Sequence, residues 1–481
     1  MKKCIPVLTA TLINSVILII SVASAFAWPI VHPTGATLYD PSQADNGYTL
    51  FTPLGKKPKT GSSTVFLINM HGAVVHRWKV PLFAVSASLL PNGNLLFVGE
   101  SEKKTPGRPG IGQFWIGGAA GLIRELTWGG KTVFEYEDVN MHHDVLKLPN
   151  GHYLYLAWER VPKALQAKVR GGIKGSEFPG LTMFNDYIVE VDAQGRVVWR
   201  WHANDHLDPD IDIIGPIYKR QEWCHANSIG VLQNGNILLT SRSLDALMVI
   251  DKATGKIIFR WGNASYLDKK SGRLEYRSGS NVMGGPHGAQ EIPSGYPGAG
   301  HLLCYDNGLY TYRSRVVEID VATRQLVWQS ASAGLGRERF SWFSGNGQRL
   351  SNGNTLICDG ANGSFYQETS QHKMVWEYIS PYMTLPVMQG AVFKAHHYEP
   401  GYCPQLKALP PAGGTAIVPP GNARLKILPE QTNANSKLNI EQQPDLVPLA
   451  PALGALVLFV ILFWFLRRTS ALSQSSRGKG K

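Results

Sequence analysis

The sequence predicts an all-β fold, a six-bladed β-propeller, and three observations carry that prediction. The chain of 481 residues holds 50 glycines and 30 prolines with 44% hydrophobic residues, a composition suited to many turns around a large core rather than to long helices. A turn phrase recurs: "LLPNGNLLF" (89–97), "KLPNGHYLYL" (147–156), "VLQNGNILLT" (231–240), "EIPSGYPGAGHLLCY" (291–305) and "RLSNGNTLIC" (349–358). A second phrase, two strands joined by a turn with the second strand rich in aromatics, occurs six times, its aromatic ends falling near Trp78, Tyr136, Trp201, Trp261, Trp328 and Trp376.

Each phrase has a physical reading. Asn-Gly between apolar alternations is a hairpin signal, because both residues tolerate φ > 0. Two hairpins make a four-stranded sheet whose apolar faces need neighbours, and six such sheets close into a ring. Residues between Trp28 and Ser63, with the segment "AVFKAHHYEP" (391–400), are expected to complete that ring. A large sandwich would not require the same phrases six times over.

Taken in order, residues 1–27 read as a signal peptide or N-terminal anchor: Lys2 and Lys3 precede an apolar run that ends on Ala25-Phe26-Ala27. Residues 28–403 form the propeller, and 404–446 lose all periodicity, reading as a Pro-rich linker. Residues 447–466, "VPLAPALGALVLFVILFWFL", are uncharged and long enough to span a hydrocarbon core of ~30 Å as a transmembrane helix. Arg467 and Arg468 open a basic tail, 467–481, placed in the cytoplasm by the positive-inside rule, so the propeller is expected outside it, periplasmic or extracellular and held to the membrane by the C-terminal helix.

Charge and cysteines narrow the function. Of the formal +12, two charges lie in the signal segment and five in the tail, leaving +5 on the body. With no basic run interleaved with aromatics, no nucleic-acid partner is expected; attraction for small anions is. Cys224, Cys304, Cys358 and Cys403 would enter an oxidising compartment, where three pairings are open to them and Cys224 reads as a disulfide partner. The loops 101–120, 160–185, 202–223, 263–286 and 331–346 are long for a compact scaffold and read as functional rims.

The repeat also gives histidines equivalent positions. His143 stands six residues before the turn proline Pro149, and His287 six before Pro293. His225 stands eight before Gln233, which calls for a bulge or a different strand start. In a propeller the innermost strands surround the axis, so these starts converge on one mouth of the channel. Arg242 ends the following strand and returns to that mouth, with Asn227 and Asn307 as polar neighbours. His142, His396 and His397 read as ordinary core or junction residues, and Asp144 as a turn cap.

The phrases "HHD", "CHANS", "SRSLDA", "GPHGAQ" and "YDNG", spread over roughly 48–402, resemble the bacterial arylsulfate sulfotransferase family. That resemblance implies a six-bladed propeller moving a sulfuryl group from a phenolic sulfate donor to a phenolic acceptor through a sulfohistidine, without a nucleotide sulfate. It implies His287 as nucleophile, with His143, His225 and Arg242 around the sulfuryl group. Family members from enteric bacteria carry an N-terminal β-domain that pairs subunits. Here only about 35 residues separate Trp28 from the first blade phrase, so the oligomeric state is left open.

The chemistry fits the residues as well. A neutral imidazole can attack sulfur and leave again, splitting one transfer into two, while Arg242 and donor histidines stabilise the sulfuryl oxygens. No metal or other cofactor is called for. Two further readings are a metal site built from the histidines with Asp144 or Asp306, and a non-catalytic or quinone-binding propeller suggested by "DKATGKIIFRWG" (251–262).

Overall fold

The structure, a computed structural model, describes residues 34–54, 63–80, 83–101, 116–331, 333–334, 337–382 and 390–417. The signal segment, the transmembrane span, the basic tail and most of the linker lie outside the described residues. Among the described residues no helix is long and apolar enough to cross a membrane.

Six antiparallel sheets follow the phrases in order. Blade 2 runs from Ala84–Leu89 through Leu95–Glu100 and Gly121–Leu126 to Thr132–Glu137; blade 3 from Met141–Lys147 through Tyr153–Arg160 and Phe184–Val191 to Val197–His202. Blade 4 comprises Ala226–Val231, Ile237–Ser241, Ala246–Ile250 and Ile257–Trp261; blade 5 His287–Glu291, Leu302–Asp306, Arg315–Asp320 and Gln325–Gln329. Blade 6 comprises Asn346–Arg349, Thr355–Asp359, Ser364–Glu368 and Met374–Ile379, with Gly35–Tyr39 added as a fifth, outer strand.

Blade 1 closes the ring. Its innermost strand is C-terminal, Val392–Tyr398, and pairs with Tyr48–Pro53, beyond which lie Ser63–Ile68 and Val74–Val80. The chain ends are thus joined twice, in blade 1 and through Gly35–Tyr39 in blade 6, as the sequence anticipates. Residues 404–417, read as the start of a spacer, instead pack on the ring: Leu406 is fully buried, Pro410 accepts the Tyr48 hydroxyl at 2.6 Å, and Ile417 exchanges backbone hydrogen bonds with Tyr39.

The aromatic repeat has a structural cause. The outer-strand indoles donate to backbone carbonyls in the outer turn of the next blade: Trp78 to Thr127 at 3.3 Å, Trp201 to Gly255 at 2.8 Å, Trp261 to Arg324 at 3.2 Å, Trp328 to Ser370 at 3.3 Å and Trp376 to Met70 at 2.8 Å. Blade 2 has Tyr136 there, whose ring lies against Gly195 of blade 3. The Asn-Gly turns differ from the expectation. Only the glycine takes φ > 0, as in Gly93 at 80°, while Asn92 accepts the N–H of Asn94 at 3.0 Å. With Gly93 N–H bonded to Leu90 O at 2.8 Å, this is a three-residue loop with a bulge rather than a two-residue turn.

Trp201 is 2% exposed, so Trp201→Ala should lower unfolding stability by about 3–5 kcal/mol, whereas Trp201→Phe, which only orphans the Gly255 carbonyl, should cost about 1–2 kcal/mol. Denaturation midpoints with an unchanged slope would verify the order; equal effects of the two would show that the indole N–H does not staple the blades.

Candidate active site

Every innermost strand starts on one face of the ring, and every second strand ends there. The long loops at 160–185, 202–223 and 263–286 are therefore all on that face, as is the described part of 331–346. Among the described residues the opposite face carries the hairpin turns together with residues 399–417, which pack beside the Leu89–Asn92 turn. One mouth is crowned, and the histidines lie beneath that crown.

The three histidines reach the mouth through irregular backbone. His143 and His225 adopt φ of 54° and 49°, and the strand registers shift beside them, between Tyr155 and Leu156 on the partner of the first and between Ala226 and Ser228 after the second. This supplies the irregular strand start anticipated for His225, and Asn227 takes the repeat position that His143 and His287 occupy. After His287 the register shifts again, at Gly288, where φ is 61° and an added Cβ would strike Asn346 and the Gly345 carbonyl.

His287 is held tightly. Its Nδ1 lies 2.7 Å from Asn307 Oδ1 and 2.9 Å from Gly285 O; both are acceptors, so the proton is on Nδ1 and Nε2 carries the lone pair. Asn307 Nδ2 donates to Ser341 O at 2.7 Å and Ser344 O at 2.9 Å, fixing the amide orientation. The Ser344 N–H faces Nε2 at a long 3.3 Å. Asn227 donates to Pro286 O at 2.8 Å, while Asp306 and Asp245 accept from the Gly284 and Gly285 amides at 2.8 and 2.9 Å, so the backbone leading to His287 is clamped from three sides. Burial, then the charge of Arg242, pulls the His287 pKa down to about 3, and the imidazole is neutral at physiological pH.

The other groups gather around it. His143 and His225 have ring centroids 5.2 Å apart, and Phe393 lies 5.7 Å from His143 and 6.3 Å from His287. Burial, then neighbouring His142, His225, His287 and Lys394, pushes the His143 pKa well below the usual histidine range. His225 Nδ1 is in close contact with Glu222, whose other oxygen accepts from Trp158 Nε1 at 2.9 Å. The Arg242 guanidinium lies over the Tyr218 ring at 5.0 Å and makes no ion pair or side-chain hydrogen bond among the described residues. An uncompensated cation beside neutral imidazoles is a place for an anion.

Several residues here were not singled out from sequence, or were misread. Asp144 is no turn cap: it pairs with Lys394, which also bonds Ser228 Oγ at 3.2 Å, tying blades 1, 3 and 4 across the channel. His142 is no ordinary core residue: its Nδ1 is 2.8 Å from His143 Nδ1 and its Nε2 is 3.0 Å from Asp186 Oδ1. Asp245, buried and pushed up to about pKa 7 by desolvation, receives the Tyr218 and Tyr310 hydroxyls. It stands three residues after Arg242, in a phrase the sequence flags, as Glu222 stands three before His225; Ser344 and Phe393 carry no such signal. The four cysteines of the body are all free and buried, so Cys224 is not a disulfide partner. Among the described residues no group of three His, Cys, Asp or Glu could hold a metal ion; Asp144 is engaged by Lys394 and Asp306 by Arg315 at 3.0 Å.

A cavity of about 450 Å³, lined among others by Asp45, Gln290, Arg349, His397 and Tyr402, opens at the far ends of the same inner strands, away from the histidines.

A ring of six sheets with a reactive side-chain cluster at one channel mouth defines a β-propeller of the enzymatic kind. Residues 88–395 match the model of the Arylsulfotransferase (ASST) family, more than half of the chain, and the chain belongs to that family, which supports aryl sulfotransferase activity in general terms. No curated protein matches it significantly. Similar solved structures include a protein of unknown function from Bacteroides caccae (14% identity, TM-score 0.44, covering 73% of this chain and 98% of that one). Others are selenomethionine-substituted virginiamycin B lyase from Staphylococcus aureus (10%, 0.35, 73% and 90%) and a putative 6-phosphogluconolactonase from Bacteroides fragilis (9%, 0.39, 75% and 100%).

The neutral state of His287 has a thermodynamic signature. Unfolded, it would bind a proton near pH 6.5; folded, only near about 3, so between these values acid favours the unfolded chain. Relative to wild type, His287→Asn should therefore gain about 2 kcal/mol of stability on going from pH 7 to pH 5. Urea unfolding of both proteins at the two pH values measures this, and a pH-independent difference would mean the imidazole protonates freely when folded.

Proposed function

We propose that the protein transfers a sulfuryl group from an aryl sulfate to a phenolic acceptor by a ping-pong mechanism through sulfo-His287. The observation that carries this reading is the fixed tautomer: Nδ1–H bound by Asn307 and Gly285 O, with Nε2 of a neutral, buried ring left unprotonated and met by the Ser344 N–H at a long 3.3 Å.

In the first half-reaction Nε2 attacks sulfur, the N–S bond forms, and the S–O bond breaks with its electron pair leaving on the aryl oxygen. The ring then carries positive charge, which the Asn307 and Gly285 carbonyl oxygens stabilise at Nδ1–H. Arg242 binds the sulfuryl oxygens, and the Ser344 amide, its imidazole acceptor consumed, is placed to donate to one of them. His143 or His225 protonates the leaving oxygen, whose conjugate acid has a pKa of about 10 by analogy with tyrosine. In the second half-reaction the acceptor hydroxyl loses its proton to the same base, attacks sulfur and releases neutral His287. Asn227, fully buried and bonded to Pro286 O, positions this strand start and, with Asn307, completes the polar lining.

The propeller is proposed to act outside the cytoplasm, held by the apolar segment 447–466 with the basic tail inside. A reporter fused after Lys481 should behave as cytoplasmic; extracytoplasmic reporter activity would reverse the orientation.

His287→Ala should abolish transfer while the protein remains folded, and Arg242→Ala should lower the rate by roughly 10²–10³. Wild-type protein incubated with an aryl sulfate and no acceptor should gain one acid-labile sulfuryl group on the peptide containing His287. An adduct elsewhere, or turnover surviving in His287→Ala, would remove His287 from this role; neither adduct nor turnover with any aryl sulfate would remove the activity itself.

A further inference from the structure

Behind the two auxiliary histidines lies a second layer of ionisable side chains. His142 is wholly buried and stacked on Trp158 with ring centroids 4.3 Å apart. Its Nδ1 meets His143 Nδ1 at 2.8 Å, and its Nε2 lies 3.0 Å from Asp186 Oδ1, a contact whose alignment falls short of a hydrogen bond. The other Asp186 oxygen accepts the Ala226 N–H at 2.9 Å, so this carboxylate also anchors the strand that begins beside His225. Gly118 passes over His143 so closely that an added Cβ would sit 2.1 Å from Nε2. Only glycine fits at that point beside Nε2.

A contact between two imidazole nitrogens at hydrogen-bonding distance holds one proton, because two would repel and none would leave lone pair against lone pair. The location of that proton decides what His143 can do. With the proton on His142 Nδ1, His143 carries its own on Nε2 and is a donor towards the mouth. With the proton on His143 Nδ1, Nε2 is bare and is a base. A sulfuryl transfer between two phenols needs these two forms in turn, a donor for the departing aryl oxide and then a base for the arriving hydroxyl.

We propose that His142, backed by Asp186, is a positioning residue that stores the proton passing between the two half-reactions. At the start His142 is a cation beside the Asp186 carboxylate, and His143 is neutral with its proton on Nε2. His143 gives that proton to the aryl oxide, and the shared proton crosses from His142 Nδ1 to His143 Nδ1, leaving both rings neutral. The acceptor phenol then delivers a proton to His143 Nε2 and the shared proton returns. The pair loses one proton and regains one, and no solvent proton is required.

The surroundings suit this division. His143 faces His225, Lys394 and His287, which together with burial disfavour charge on it, whereas His142 faces Asp186. Lys394 is held by Asp144, and His225 by Glu222, so neither competes for Asp186. The positive charge thus has a place one ring behind the mouth, and His143 stays neutral throughout.

This inference rests on the sulfotransfer reading, and leaving-group dependence separates the two. In single-turnover experiments without acceptor, His142→Asn should release phenol from phenyl sulfate roughly 10²-fold more slowly than wild type, yet release 4-nitrophenolate, which needs no proton, within about threefold of it. Asp186→Asn should reproduce this selectivity, and it decides the matter if near-UV circular dichroism shows that His142→Asn does not fold. A merely structural role would slow both donors alike; equal losses, or no loss with phenyl sulfate, overturn the inference. If wild-type protein releases neither phenol, the sulfotransfer reading fails and takes this one with it.

Discussion

The hydrogen bond from one blade's outer-strand indole to the next blade's outer turn is the contact on which the rest of the structure depends. A four-stranded sheet has two apolar faces and cannot be stable alone; five indole bonds and the Tyr136 contact set the angle at which each sheet covers its neighbour. Repeated six times, that angle closes the ring. Closure falls to the chain ends, and the strand that performs it, Val392–Tyr398, brings Phe393 and Lys394 against the histidines. Folding of the last strand and completion of the site are therefore one event.

Closure also sets the electrostatics of the mouth. Three imidazoles and a guanidinium within one buried chamber would repel if all were charged, and burial first, then the neighbouring basic groups, removes charge from His143 and His287. The carboxylates nearby are each committed: Asp144 to Lys394, Glu222 to His225 and Trp158, Asp306 to Arg315, and Asp245 to two tyrosines and a backbone amide. Arg242 is left without a carboxylate among the described residues. The chamber is thus basic without being highly charged, a condition under which an anion is drawn in while the imidazole that meets it keeps its lone pair.

What could be read from the sequence is what the repeat repeats. The aromatic ends, the places of the hairpins and the alignment of His143 with His287 follow from counting residues within a period, whereas the turn type and the gathering of the described long loops on one face emerge only in the folded ring. Contacts between distant periods could not be read this way. Lys394 and Asp144 lie 250 positions apart, and nothing local marks either as the other's partner. The cysteines mislead for a related reason: compartment chemistry suggests pairing, but Cys304 and Cys358 occupy buried strands of different blades, where their role is to fill apolar space. His142 reads locally as an ordinary junction histidine; its partner Asp186 is 44 residues away and two strands across.

The buried ion pair between Lys394 and Asp144 has a consequence for traffic through the site. It joins innermost strands of blades 1 and 3 and, through Ser228, blade 4, so it crosses the axis between the histidine mouth and the cavity at the other end. A channel crossed in this way would be entered from the histidine mouth. For the proposed chemistry, donor and acceptor must then occupy the same chamber in succession, because the second cannot arrive from behind while the first product remains in front. The intermediate proposed on His287 suits such a chamber, since it would hold the sulfuryl group while one aromatic ring leaves and another enters. The ion pair that ties blades 1 and 3 thereby accords with the two-step transfer proposed above rather than with a direct one.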